Sequence, residues 1–88
     1  MSLSALPLRR AIGARLRQLR VKAGISSQEK LAHLAEVHRT YVGRLERGES
    51  GVTVETLAAI IASLSIPLSE FFKPFTQVVR PKTPRRRG

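Results

Sequence analysis

Between Gln28 and Gly48 the chain reads QEKLAHLAEVHRTYVGRLERG, and this stretch limits the fold more tightly than any other. Leu31, Ala32 and Ala35 recur at helical spacing, and so do Val42 and Leu45. A turn of about three residues separates the two series, as in a helix-turn-helix unit. Helices joined so tightly must cross steeply. Ala32 has to be small for the backbones to approach, and Val37, Val42 and Leu45 fill the angle between them. Gly48 stops the second helix.

The flanks extend the helical pattern. Ile12, Leu16, Leu19 and Ala23 mark one apolar face of a helix over residues 9–22, closed by Gly24. Helix 2 has two possible caps. Ser26 with Glu29 would make a capping box, whereas Ser27 places Lys30 at the third helical position. Helix 3 runs from His38 to Arg47. Thr53 caps helix 4, whose stripe is Val54, Leu57, Ala58, Ile61 and Leu64. Pro67 suits the first turn of a short fifth helix, Leu68–Phe72. No internal repeat and no firm strand appears, although Gln77–Arg80 has weak strand character suited to a dimer interface. The pattern implies a compact all-α, five-helix domain over residues 9–75, an N-terminal arm at 1–8 and a flexible basic tail at 76–88.

Charge narrows the partner. The 88 residues carry a net charge of +10, and the tail holds Arg80, Lys82, Arg85, Arg86 and Arg87 with no acid. The first helix is equally one-sided, with Arg9, Arg10, Arg15, Arg17, Arg20 and Lys22. Such an imbalance favours polyanions, because each phosphate neutralised releases counterions. Other classes fall away. Without cysteine there are no disulfides, thiolate zinc sites or thiol chemistry. His33 and His38 lack a second ligand at metal spacing, so no metal or cofactor is expected. No paired carboxylates or phosphate loop suggest an enzyme. The start, MSLSALPL, has no basic residue ahead of its apolar run, unlike a secretory signal. The apolar-rich Leu57–Leu68 is too short to span a bilayer. The expectation is a cytoplasmic protein with no membrane partner.

The outer face of helix 3 carries the chemistry. With Val42 and Leu45 turned inward, Thr40, Gly43, Arg44 and Arg47 gather opposite. His38 caps the helix and faces the same way as Arg39 and Thr40. Arg39 can donate two hydrogen bonds to guanine O6 and N7. Thr40 offers a methyl to thymine and a hydroxyl to base or phosphate. Tyr41 lies on the flank, and Gly43 leaves room for close approach. Ser27 and Gln28 open helix 2, where free backbone N–H groups and the Gln28 amide suit a phosphate.

These residues, with IGARLRQLRVKAG, SQEKLAHLAEV, RTYVGRLERGES, TLAAIIASLSI and LSEFF around them, resemble the phage repressor/Cro-like (XRE) helix-turn-helix family. The pattern RTYVGRLERGE is similar to restriction–modification controller proteins. The resemblance implies a lambda-repressor-like DNA-binding domain. It implies that Arg39, Thr40, Tyr41 and Arg44 sit on or beside bases. Gln28, Arg47, Ser50 and the start of helix 4 at Thr53 would hold phosphates. Arg20 and Glu46 match a buried ion pair, and Leu68, Phe71 and Phe72 a dimer interface, to which Phe75 adds a third ring. Two positions depart from the family pattern: Glu36 stands where the turn usually has glycine, and the loop before helix 2 carries one extra serine.

The leading expectation is a homodimeric, sequence-specific regulator on a palindromic operator in double-stranded DNA. An activator would also need a surface for RNA polymerase. An antitoxin-like module that binds a protein partner, and DNA for autoregulation, is the alternative, and a stoichiometric copurifying protein would mark it. A non-specific coater would bind all sequences equally.

Overall fold

The computed structural model describes residues 7–49 and 52–76. Ser50, the first six residues and the stretch from Gln77 onward, including the weak strand expected at Gln77–Arg80, lie outside the described residues. Among the described residues all regular structure is helical: α1 Leu8–Lys22, α2 Gln28–Ala35, α3 Arg39–Glu46, α4 Val54–Ala62 and α5 Leu68–Phe71. The all-α, five-helix architecture read from the periodicity is therefore the observed one.

The caps explain the boundaries. Ser27, not Ser26, caps α2, its side chain accepting from the Lys30 N–H at 3.0 Å. The extra serine thus lengthens the loop and leaves Gln28 as the first helical residue. Thr53 caps α4 through the Thr56 N–H. Pro67 sits just outside α5 as its N-cap rather than in its first turn. Three helices end in the same way. At the ends of α1, α2 and α3 a residue at or just past the C-cap turns left-handed: Gly24 at φ 80, Glu36 at φ 59 and Gly48 at φ 73. In each case the next N–H returns to the carbonyl five residues back, Ile25 to Arg20, Val37 to Ala32 and Glu49 to Arg44, which is the Schellman arrangement. Glycine adopts this conformation freely, whereas Glu36 does so against its own Cβ.

The core lies where the five helices meet. Leu16, Leu31, Val42, Leu45, Ile60, Ile61 and Phe71 are its largest fully buried side chains. Two expected stripes rotate. Val54 is 79 % exposed, because it opens α4 and lines a surface groove with Leu8, Ile12 and Leu57, and Ile60 takes a core place instead. Ala23, at the end of α1, is exposed, while Ala11 is buried.

Two contacts on α1 set its place. At Gly13 an added Cβ would collide with the Leu45 carbonyl oxygen and lie 2.6 Å from that of Glu46. The α1 backbone therefore rests directly on the C-terminal carbonyls of α3. Two residues on, Arg15 is also buried. Its Nε donates to the Phe71 carbonyl and its Nη2 to the Glu70 carbonyl, both at 2.8 Å. It closes the carbonyl end of α5, which at four residues is too short to hold itself together. Phe71, Phe72 and Phe75 pack on one another, with ring centroids 4.9 to 6.3 Å apart. Phe71 is fully buried within its own chain and so cannot belong to a dimer surface, as the sequence had suggested. Leu68 is exposed, and Phe72 and Phe75 are half-buried.

Two substitutions probe this frame. Gly13→Ala is expected to lower stability by about 1–3 kcal/mol in urea unfolding, because backbone carbonyls cannot step aside as a side chain would. Glu36→Gly is expected to raise it by about 1 kcal/mol, seen as a melting temperature higher by about 4–8 °C for a domain of this size.

Candidate nucleic-acid interface

The unit formed by α2 and α3 is held from beneath. Ala32, Val42 and Leu45 are buried between the helices, with Ala35 and Val37 half-buried around them. Below them Arg20 and Glu46 form a two-pronged pair. Nε meets Oε2 at 2.7 Å and Nη2 meets Oε1 at 3.2 Å, with both side chains more than nine-tenths buried. The remaining nitrogen of Arg20 donates to the Ile25 carbonyl at 2.9 Å. Gln28 Nε2 donates to Glu46 Oε1 at 3.0 Å. One carboxylate therefore joins α1, α2 and α3.

This network decides how Gln28 is presented. Its amide is half-buried against α3 rather than free in solvent, with one N–H committed to Glu46. Gly43 makes the approach possible. An added Cβ there would lie 3.0 Å from Gln28 Oε1 and 3.3 Å from an Arg47 nitrogen. Gly43 is itself buried, so the room it leaves is occupied by Gln28 and Arg47.

Outward of this floor, Gln28, Glu29, Arg39, Thr40, Gly43, Arg44 and Arg47 line one open concavity of about 340 Å³. The structure thus brings together Arg39, Thr40, Gly43, Arg44 and Arg47, five of the seven positions expected between His38 and Arg47 to face bases or phosphate, with Gln28 from α2. Tyr41 is half-buried at the flank. His38 caps α3 with its Nδ1, which accepts from the Thr40 N–H at 3.1 Å and lies 2.7 Å from the Thr40 hydroxyl. A nitrogen that accepts carries no proton, so the ring presents its Nε2–H. Ser27 lies on the other side of α2, among Gly24, Ile25, Lys30 and Leu34, and its hydroxyl is engaged in the cap. The Thr53 hydroxyl is likewise engaged at the start of α4. Ser50 is outside the described residues.

Sequence reasoning missed the acids on this face. Glu29 lies 3.8 Å from Arg39, both exposed. Glu49 takes the fork of Arg47, Nε to Oε2 at 2.8 Å and Nη2 to Oε1 at 3.1 Å. The hydrogen bonds from Arg47 hold the Glu49 carboxyl below its ordinary value, and those to Glu49 raise Arg47. Charge counting alone would not find these pairs, but acids two residues after Arg47 and in the first turn of α2 were the available signal. Among the described residues no group of three or more His, Cys or acidic side chains suits a metal ion, and no helix is long and apolar enough to cross a membrane.

This geometry, two short helices packed across a tight turn with an outward cationic concavity, is that of a helix-turn-helix protein. A helix-turn-helix family model matches residues 16–71, and the chain belongs to the XRE-type helix-turn-helix family of DNA-binding transcription regulators. It is 36 % identical over 59 residues to the control protein C.BamHI of Bacillus amyloliquefaciens, covering 67 % of this chain and 73 % of that one. It is 38 % identical over 60 residues to the control protein C.MunI of a Mycoplasma species, covering 68 % and 81 %. The HTH-type transcriptional regulator SutR of Escherichia coli (strain K12) is 39 % identical over 67 residues, which are 76 % of this chain but 37 % of SutR. Among solved structures, the clp gene regulator ClgR from C. glutamicum superposes with a TM-score of 0.72 at 32 % identity, over 78 % of this chain and 87 % of that one.

Because the Arg20–Glu46 pair is buried, removing one partner strands the other charge. Glu46→Ala is expected to cost about 3–5 kcal/mol, and the double change Arg20→Met with Glu46→Leu clearly less. Urea unfolding of the three proteins checks the difference.

Proposed function

We propose that this chain is a sequence-specific regulator that binds double-stranded DNA as a homodimer on a palindromic operator, with α3 in the major groove. The observation that carries the reading is the concavity on the outer edge of α2 and α3. It gathers Gln28, Arg39, Thr40, Arg44 and Arg47 around an N-terminus whose backbone geometry His38 fixes. Its contents divide by chemistry. Arg39, Thr40 and Arg44, with His38 and Tyr41 beside them, meet base edges. Gln28 and Arg47 meet phosphate, as do the free N–H groups that open α2 after Ser27 and α4 after Thr53.

The second copy is expected at α5. Leu68 is 51 % exposed, beside the half-buried Phe72 and Phe75, and a chain this small gains apolar contact by pairing. Two copies related by a two-fold axis would place their α3 helices about 34 Å apart, one turn of DNA. The likeness to control proteins and to HTH-type regulators supports a role in transcription.

Selection of bound sites from random DNA, with sizing of the complex, tests the whole reading. The expected outcome is a palindromic sequence bound by two copies. Equal recovery of all sequences, or a one-to-one complex, would count against it. Within that site Arg39→Ala is expected to lose about 1–3 kcal/mol of binding and to relax base preference at one position per half-site. An unchanged ratio of operator to random-DNA affinity would remove Arg39 from the base readers.

A further inference from the structure

We propose that the fork of Arg47 is a DNA phosphate site that Glu49 fills in the free protein, making Glu49 an intramolecular competitor that sets how tightly the chain holds any DNA. This rests on the DNA-binding reading above and goes beyond it, because that reading treats Arg47 as a free cation.

The geometry is that of anion recognition. The Nε and Nη2 edge of Arg47 is the edge that takes a phosphate or carboxylate with two parallel hydrogen bonds, and Glu49 supplies two oxygens to it at 2.8 and 3.1 Å. The pair is not built into the core. Both side chains are about half exposed, and Arg47 lines the same concavity as Arg39, Thr40 and Arg44. A polyanion can therefore reach it. The backbone places the acid there. Gly48 takes the left-handed turn, and the Glu49 N–H bonds back to the Arg44 carbonyl at 2.9 Å. The carboxylate is thus delivered to the end of α3 by the same turn that stops the helix. Arg44 adds a second attraction, contributing to the lowered Glu49 carboxyl. Among the described residues Arg44 has no ion-pair partner of its own.

When DNA seats against α3, a phosphate near Arg47 meets a site already holding an anion. Glu49 must leave, and its charge then faces the backbone at close range. Both effects oppose binding whatever the base sequence, since neither involves a base edge.

The test compares the wild type, Glu49→Gln, Arg47→Ala and the double variant for affinity on the selected operator and on random duplex DNA, each across a salt series. Glu49→Gln keeps the length of the side chain and one acceptor oxygen, while removing the charge and the second acceptor. It is expected to bind both DNAs about two- to five-fold tighter, the change an exposed pair supports. Its plot of log affinity against log salt should be steeper by up to about 0.9, one phosphate contact. In the Arg47→Ala background the gain should shrink markedly, because the site being contested is gone. An equal gain in both backgrounds would overturn the proposal, leaving Glu49 as a general repulsive charge. A loss of affinity in Glu49→Gln would also overturn it, showing that Glu49 orients Arg47 for DNA. Wild-type protein that binds neither DNA would refute the DNA-binding reading itself, and is seen before any variant is compared.

Discussion

The carboxylate of Glu46, carried by α3, is held from two sides at once, by Arg20 of α1 and by Gln28 of α2. Burying a charge is costly unless it is paired and hydrogen-bonded, and here both partners are nearly dry. That makes the pair a strict geometric condition rather than a large source of stability. Arg20 has two of its nitrogens on Glu46 and the third on the Ile25 carbonyl, so it cannot rotate without losing a bond. Gln28 in turn is fixed by its bond to Glu46. The first residue of α2 is consequently set by the last residue of α3, whose carboxylate lies beneath the surface the two helices present.

This bears on how net charge should be read. Counting Lys and Arg along α1 suggests a single basic surface, but Arg15 and Arg20 point inward. One closes the end of α5 and the other holds Glu46. On the outward face Arg39 and Arg47 each have an acid nearby. The charge of +10 still draws the chain toward polyanions over distance, while the local surface is more balanced than composition implies.

Helix content and order were legible because apolar residues recur at helical spacing and Gly24, Gly48 and the prolines mark several of the stops, whereas the left-handed turn at Glu36 carries no such mark. The α2 and α3 core positions followed from the need to pack two short helices across a tight turn. Details that depend on three-dimensional competition were not legible. Ser26 with Glu29 offers the fuller capping box, yet it is Ser27 that caps α2, with Leu31 and Ala32 buried in that register. Arg15 looks like an ordinary solvated cation, yet it lies four residues from both Ala11 and Leu19, both buried, which was the one local sign that it turns inward. The family resemblance implies a partner surface for Phe71, next to Phe72 and within four residues of Phe75. The rings instead cover one another. At the site, the outer face of α3 followed from its period, whereas the closeness of Gly43 to Gln28 and the grip of Glu49 on Arg47 arise from contacts between elements or around a turn.

The contact at Gly13 has a consequence for how such a protein can change. There α3 rests on bare backbone, so no rotamer can adjust to shift the helix along its axis. Its position is fixed to the accuracy of main-chain geometry by residues on its inner side. The outward positions 39, 40 and 44 take no part in that mounting. Exchanging them alters what the helix touches without altering where it sits, so the molecule is a fixed holder with an interchangeable face.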